Sequence, residues 1–274
     1  MTKGVLLQHA AEVYALVYFG ALLGASILEW VLPLRPAGDA IRLRWLGNVG
    51  ISILDTFIVK ALFPILGVGW AAYCADRGWG LFNYVDWPGW LNVVVSIAWL
   101  DFLFYVQHVA MHRAPLLWRL HRTHHTDDDV DFTTGLRAHP TETLLANVVT
   151  FAGILMIGAS PLAVFLSQLM SIALAFIGHS NVRVPPALDR ALRYVIVTPD
   201  MHRVHHSVDV REGESNFSNL FPWWDRLFGS YLDQPAAGHL DMKFGVHGFE
   251  ARKHQSLPWM LAQPFLRPDR SRKP

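Results

Sequence analysis

Three groups of histidines follow one spacing rule: His108-x-x-x-His112, His121-x-x-His124-His125 and His202-x-x-His205-His206. On a helix, residues three and four apart lie on neighbouring positions of one face, so their imidazoles can reach a common ion. Imidazole suits zinc, copper, iron and nickel. A lone HxxxH is commonly a pair of structural histidines. HxxHH written twice, with HxxxH just before the first, is a specific signal of metal binding. His179 ends an apolar run and joins the set, and so does His139 in Arg137-Ala-His139-Pro140, either as a ligand or as an anchor for the helix that Pro140 opens. His108, His112, His121, His124, His125, His139, His179, His202, His205 and His206 are therefore the candidate ligands, enough for two ions. Asp101 and Tyr105 lie seven and three residues before His108, on the same helical face. Asp101 could orient His108 or His112, or bond to a neighbouring helix. Glu142 could cap the helix after Pro140 or accept a ligand's N–H. Asp127, Asp128, Asp129 and Asp131 read as a solvated loop. His9, His239, His247 and His254 have no partner at ligand spacing and read as ordinary residues.

The elements that must position these residues are apolar. The chain has 274 residues, 52% hydrophobic and 16% charged, against about 25% charged in an average soluble domain. That excludes a disordered chain. Cys74 is the only cysteine, which excludes disulfide scaffolds, cysteine-rich zinc ribbons and iron–sulfur clusters. A net charge of +1 gives no electrostatic case for nucleic acid. Spans of about 20 apolar residues are expected at 11–32, 46–70 (with Asp55 and Lys60 inside) and 89–110. Residues 143–178 break at Gly158-Ala159-Ser160-Pro161 and predict a helical hairpin, either two short spans or a re-entrant pair. The expected fold is all-α and integral-membrane: four to five transmembrane or hairpin helices with a cytosolic helical cap holding a dimetal site. Residues 1–90 form the N-terminal transmembrane helices, and 91–274 carry the histidines. Glu12 and the length of the first apolar run argue against a secretory signal peptide.

Arginine placement orients the chain. Arg35, Arg42, Arg44, Arg113, Arg119, Arg122, Arg137 and the tail Arg267, Arg270, Arg272 and Lys273 put loops 33–45, 111–142 and 179–274 on the cytoplasmic side. Loop 71–88, with Arg77 against Asp76 and Asp86, falls outside, as does the N-terminus. All the histidine groups then meet on one side, just beneath the membrane. Trp70, Trp79, Trp87 and Trp90 fit an outer interfacial belt, and Trp223, Trp224 and Trp259 an inner one. Compact connections and arginine-rich inner loops fit a bacterial inner membrane better than endoplasmic reticulum.

The order of the pieces resembles the fatty acid hydroxylase / sterol desaturase superfamily of integral-membrane non-haem di-iron oxygenases. The matching residues are His108-Val-Ala-Met-His112, His121-Arg-Thr-His124-His125, Arg137-Ala-His139-Pro140, His179-Ser180-Asn181 and Thr198-Pro199-Asp200-Met201-His202-Arg203-Val204-His205-His206. Asn216-Phe217-Ser218-Asn219 and Trp224-Asp225-Arg226-Leu227-Phe228-Gly229-Ser230-Tyr231 extend the likeness, which covers about residues 95–235. The resemblance implies a four-helix stalk under a cytosolic cap with two iron ions, O2 as co-substrate, and attack on an unactivated C–H bond of a lipid such as a fatty acyl chain or sterol. The chain has no dinucleotide fingerprint, haem-attachment motif or cysteine cluster, so an external donor of the cytochrome b5 or ferredoxin/reductase type must supply electrons. Only eight residues separate His112 from His121, closer than in acyl-lipid desaturases. A metal transporter is the alternative from another class. It would put its ligands near the bilayer midplane rather than at span ends.

Overall fold

The computed structural model describes residues 3–85 and 87–267. Asp86, Arg270, Arg272 and Lys273, which entered the charge argument, lie outside the described residues. Within them the chain is helical throughout, with two isolated bridges, Pro33 with Val182 and Ser207 with Phe244. The helices are α1 (Lys3–Val31), α2 (Ile41–Leu62), α3 (Gly67–Asp76), α4 (Gly89–Arg113), α5 (Pro115–His125), α6 (Pro140–Ile157) and α7 (Pro161–His179). The smaller ones are α8 (Pro186–Leu192), α9 (Pro199–His205), α10 (Val210–Gly213), α11 (Trp223–Phe228), α12 (Gly238–Asp241) and α13 (Leu257–Ala262).

Among the described residues, five helical segments are long and apolar enough to cross a membrane: α1, α2 with α3, α4, α6 and α7. Leu16, Phe19, Leu23, Phe57 and Leu62 on the first two are exposed, as side chains solvated by hydrocarbon rather than water must be. The second span differs from the continuous 46–70 expected. Pro64 disfavours a helical residue before it, and Phe63 is accordingly extended (φ −113°, ψ 94°), so α2 stops there. The chain resumes after the break as α3 and runs on to Asp76, burying Val68, Ala71, Ala72 and Cys74. Residues 71–76, expected in an outer loop, are therefore helix packed on α6 and α7.

The hairpin has clear local causes. Pro140 and Pro161 stand in first helical turns, where their missing N–H costs nothing. Gly158 closes α6 in the left-handed region (φ 71°), and the Ser160 side chain caps α7 by accepting from Ala163 N at 3.2 Å. The tip is held by Asn92, which donates to Gly158 O and accepts from Ser160 N. Asn92 lies 16 residues before His108 on α4, about 24 Å at helical rise. The tip thus reaches the end of α4 opposite the histidines, and the hairpin runs the full height of the bundle. Gly80 packs there against Gly158 so closely that a Cβ on it would lie 2.2 Å from Gly158 N.

At the other end, an apolar layer of Ala25, Phe132, Leu136 and Phe176 lies beneath a polar cap. Buried arginines tie the cap together. Arg44 reaches from α2 to Asp127 and, at 2.8 Å, Asp131. Asn48 bridges Asp127, Thr133 and Arg137. This corrects the solvated-loop reading of 127–131. Asp127 and Asp131 are buried and only Asp128 is exposed, because the buried Arg44 guanidinium needs paired carboxylates.

Candidate metal centre

Four helices deliver nine imidazoles to one place. The last two turns of α4 carry His108 and His112. Ala114 leaves the helical region, and Pro115 restarts the chain as α5, whose buried face carries His121 and His125. His179 is the final residue of α7. The Thr198 side chain caps α9 by accepting from Met201 N, and α9 presents His202 and His205, with His206 just past its end.

The nine sort into two groups whose ligand-capable nitrogens lie within 4.8 Å of one another. One holds His108, His112, His121, His125 and His205. The other holds His124, His179, His202 and His206. Each HxxHH box is split between them. The i,i+4 pair His121/His125 enters the first group and His124 the second. His202/His206 enter the second and His205 the first. At about 100° per residue, i and i+4 point within about 40° of each other, while the intervening position points aside.

The protons can be placed by exclusion. His108 Nδ1 lies 2.7 Å from Phe217 O, His205 Nδ1 2.7 Å from Ser215 O, His124 Nδ1 3.0 Å from Arg137 O and His179 Nδ1 2.6 Å from Ala175 O. His121 Nδ1 lies 2.7 Å from Glu142 Oε1. These oxygens only accept, so each Nδ1 carries the hydrogen and donates. Burial, with neighbouring imidazoles adding, lowers the pKa of His124, His125, His202, His205 and His206, which are therefore neutral. A neutral ring with hydrogen on Nδ1 has only a lone pair on Nε2. Yet Nε2 of His179 lies 3.2 Å from that of His124. His205 Nε2 is buried without any partner. Lone pairs facing each other at this distance repel unless a cation sits among them. The all-imidazole donor set thus fits two borderline metal ions such as iron or zinc.

The outer layer is equally specific. Asn216 has φ 52°, in the left-handed region that asparagine tolerates best among side-chain-bearing residues, and its side chain is tied to Met201 O and to Leu232 N and O. That turn aims the carbonyls on either side, Ser215 O and Phe217 O, at His205 and His108. Asp225 holds the same turn by accepting from Phe217 N, Ser218 N and the Ser230 hydroxyl. Tyr105 joins this network through Ser230 at 2.8 Å. Asp101 accepts from Leu220 N, Phe221 N and Trp224 Nε1. Of its two expected roles Asp101 takes the second, bonding a neighbouring segment that includes Trp224 of α11 rather than orienting His108 or His112. Glu214, 3.4 Å from His112 Nδ1, and Asp225 were not singled out as site residues from sequence, because no spacing rule links them to the histidines. His139 stands in neither group, so it is the anchor of α6 and not the ligand it was also expected to be. Its Nδ1 accepts from Thr141 N, capping α6, and its Nε2 donates to Leu261 O at 3.2 Å, so both ring nitrogens are taken.

Two cavities flank the groups. One of about 270 Å³ is lined by His112, Trp118, His125 and Glu214. The other, about 200 Å³, lies among α4, α6 and α7 and is lined by Phe104, Gln107, Thr150, Ser171 and Asn219, one turn from His108.

The fatty acid hydroxylase family model matches residues 93–230, which include all nine clustered histidines, Glu142, Glu214 and Asp225. This chain belongs to the fatty acid hydroxylase family. Relatives in the family include the ornithine lipid hydroxylase OlsE of Rhizobium tropici, 32% identical over 190 residues, covering 68% of this chain and 54% of that protein. Alkylglycerol monooxygenase of Xenopus tropicalis is 26% identical over 246 residues, 86% of this chain and 51% of the relative. The very-long-chain aldehyde decarbonylase GL1-11 of Oryza sativa subsp. indica is 27% identical over 180 residues, 64% and 67% respectively. The chain spans about half the length of the first two. No solved structure matches it.

Proposed function

We propose that the protein catalyses the O2-dependent oxidation of a lipid C–H bond, by hydroxylation or desaturation, at two iron ions held by His108, His112, His121, His125 and His205 on one side and His124, His179, His202 and His206 on the other. The observation that carries this reading is the set of nine imidazoles whose ligand-capable nitrogens converge in two groups, set at the end of five apolar helical segments. Iron bound there would supply, with O2, two electrons and two protons, an oxidant strong enough for an alkyl C–H bond; one oxygen atom would leave as water in hydroxylation and both in desaturation. The chain's own residues do the rest. Carbonyls 175, 215 and 217 and the Glu142 carboxylate fix ring orientation and tautomer. The cavity among α4, α6 and α7, one turn from His108, is where an alkyl chain would lie. Its polar residues, among them Gln107, Ser167, Gln168, Ser171 and Asn219, would sort a functional group on the substrate.

Electrons come from a separate protein of the cytochrome b5 or ferredoxin/reductase type. The histidine end faces the cytoplasm. The exposed Arg42 and Arg113 still support that orientation, whereas Arg44, Arg122 and Arg137 are buried structural cations. Relatives act on ornithine lipids or alkylglycerols by name, which supports a membrane lipid as substrate.

The test is metal content and turnover together. The purified chain should carry two irons and convert lipid only with O2 and reductant. His205→Ala should insert normally, lose iron from the first group and lose turnover by at least about 100-fold. Full turnover by that variant, or a metal-free active protein, would overturn the reading.

A further inference from the structure

A separate cavity of about 390 Å³ lies between α1, α2, α6 and α7, within the usual range for a small-molecule site. None of the nine clustered histidines lines it. Its floor includes Gly135 and Ala175, whose backbones pack against each other: a Cβ on Gly135 would lie 2.6 Å from Ala175 O, which also accepts from His179 Nδ1. The walls are chiefly apolar, with Tyr18, Ile172 and Phe176 opposite α2, and the α2 side ends in the exposed Thr56, Lys60 and Leu66.

One polar group in this wall is unsatisfied. Asp55, on α2, is 8% exposed. Its Oδ2 accepts the Thr143 hydroxyl at 2.9 Å, and its Oδ1 is buried with no hydrogen-bond partner. Buried polar atoms are almost always paired, and an ionisable residue inside a span is costly unless something partners it. Beside it, Asn147 Nδ2 spends one N–H on Thr143 O and keeps a second. Asp55 lies outside the family match at 93–230.

We propose that this cavity is a second lipid site, distinct from the metal centre, which takes an alkyl chain ending in a neutral hydroxyl whose O–H donates to Asp55 Oδ1. The apolar walls and the exposed rim on a spanning helix select an alkyl chain drawn from the bilayer. One free acceptor calls for one donor, and Asn147 can donate back to the hydroxyl oxygen. A phosphate or carboxylate head would face the Asp55 oxygens, and an ammonium head would share the wall with the Lys60 ammonium.

The experiment is equilibrium binding of labelled 1-hexadecanol and of its methyl ether to the full chain, without O2 or reductant, so that the outcome is independent of the proposed oxidation. The alcohol should bind saturably and the ether at least about tenfold more weakly, because the ether cannot donate. Asp55→Leu should weaken the alcohol by at least about tenfold and leave the ether unchanged. Asp55→Asn, which keeps an oxygen for Thr143, should weaken the alcohol similarly, and covers the case in which the leucine variant does not fold. Val59→Trp should fill the cavity and remove both. Equal affinity for alcohol and ether, wild-type binding by either Asp55 variant, or no saturable binding would overturn the proposal.

Discussion

At the scale of single residues, the centre depends on which nitrogen of each ring carries the proton, and that is set by acceptors outside the ligand set. Glu142 is the clearest case. Its Oε1 receives the His121 Nδ1 hydrogen while its Oε2 stays buried and unpartnered. Glu142→Ala should leave His121 free to change tautomer and turn Nε2 away. Metal affinity should fall about 10–100-fold, measured by chelator competition. Glu142→Gln keeps an accepting oxygen and should cost less than about threefold, a pattern that simple loss of packing would not give. Asp225 and Asn216 act one step further out by holding the Ser215 and Phe217 carbonyls in place.

At the scale of elements, the histidines are aligned by helices that span the bundle, and those helices are registered at the end away from the metals. The Gly80–Gly158 contact and the Asn92 clamp fix the tip of the α6–α7 hairpin, and α6 and α7 carry Glu142 and His179 at their other ends. Gly80 has φ 96°, open to glycine and strained for any other residue. Gly80→Ala should therefore destabilise the fold by about 1–3 kcal/mol, through both strain and overpacking. The check is detergent-solubilised thermal unfolding, with metal stoichiometry at low temperature unchanged. An unaltered melting transition would mean that the tip does not register the hairpin.

At the scale of the whole molecule, burying nine imidazoles beside a membrane makes folding sensitive to pH. Burial lowers the folded-state pKa of His124, His125, His202, His205 and His206 below the ordinary 6.5. Below about pH 6.5 the unfolded chain binds protons that the folded chain refuses, so stability falls as pH falls. It is fully present above that value. Metal binding has the same sign, because protons compete for the same nitrogens. Chelated protein should melt progressively lower from pH 7.5 to pH 5.5, and a flat profile would contradict neutral buried rings.

The sequence alone determined what is local. Helical spacing marked His108/His112 and the two HxxHH boxes, apolar runs marked the spans, and Gly158 with Pro161 marked the hairpin, because periodicity and punctuation act over a few residues. The second span departs from the expected 46–70 chiefly at Phe63–Leu66, where the helix breaks before it continues as α3. Tertiary structure decided everything that depends on partners far along the chain. It split each HxxHH box between two groups, since the side to which an i+3 imidazole turns is fixed by what packs there. It assigned His139 to a helix cap, because Leu261, 122 residues away, takes its second nitrogen. It buried Asp127 and Asp131 against Arg44, more than 80 residues before them, and it left Asp55 facing a cavity that no spacing rule could show. Side chains encode a face, and the fold supplies what that face meets.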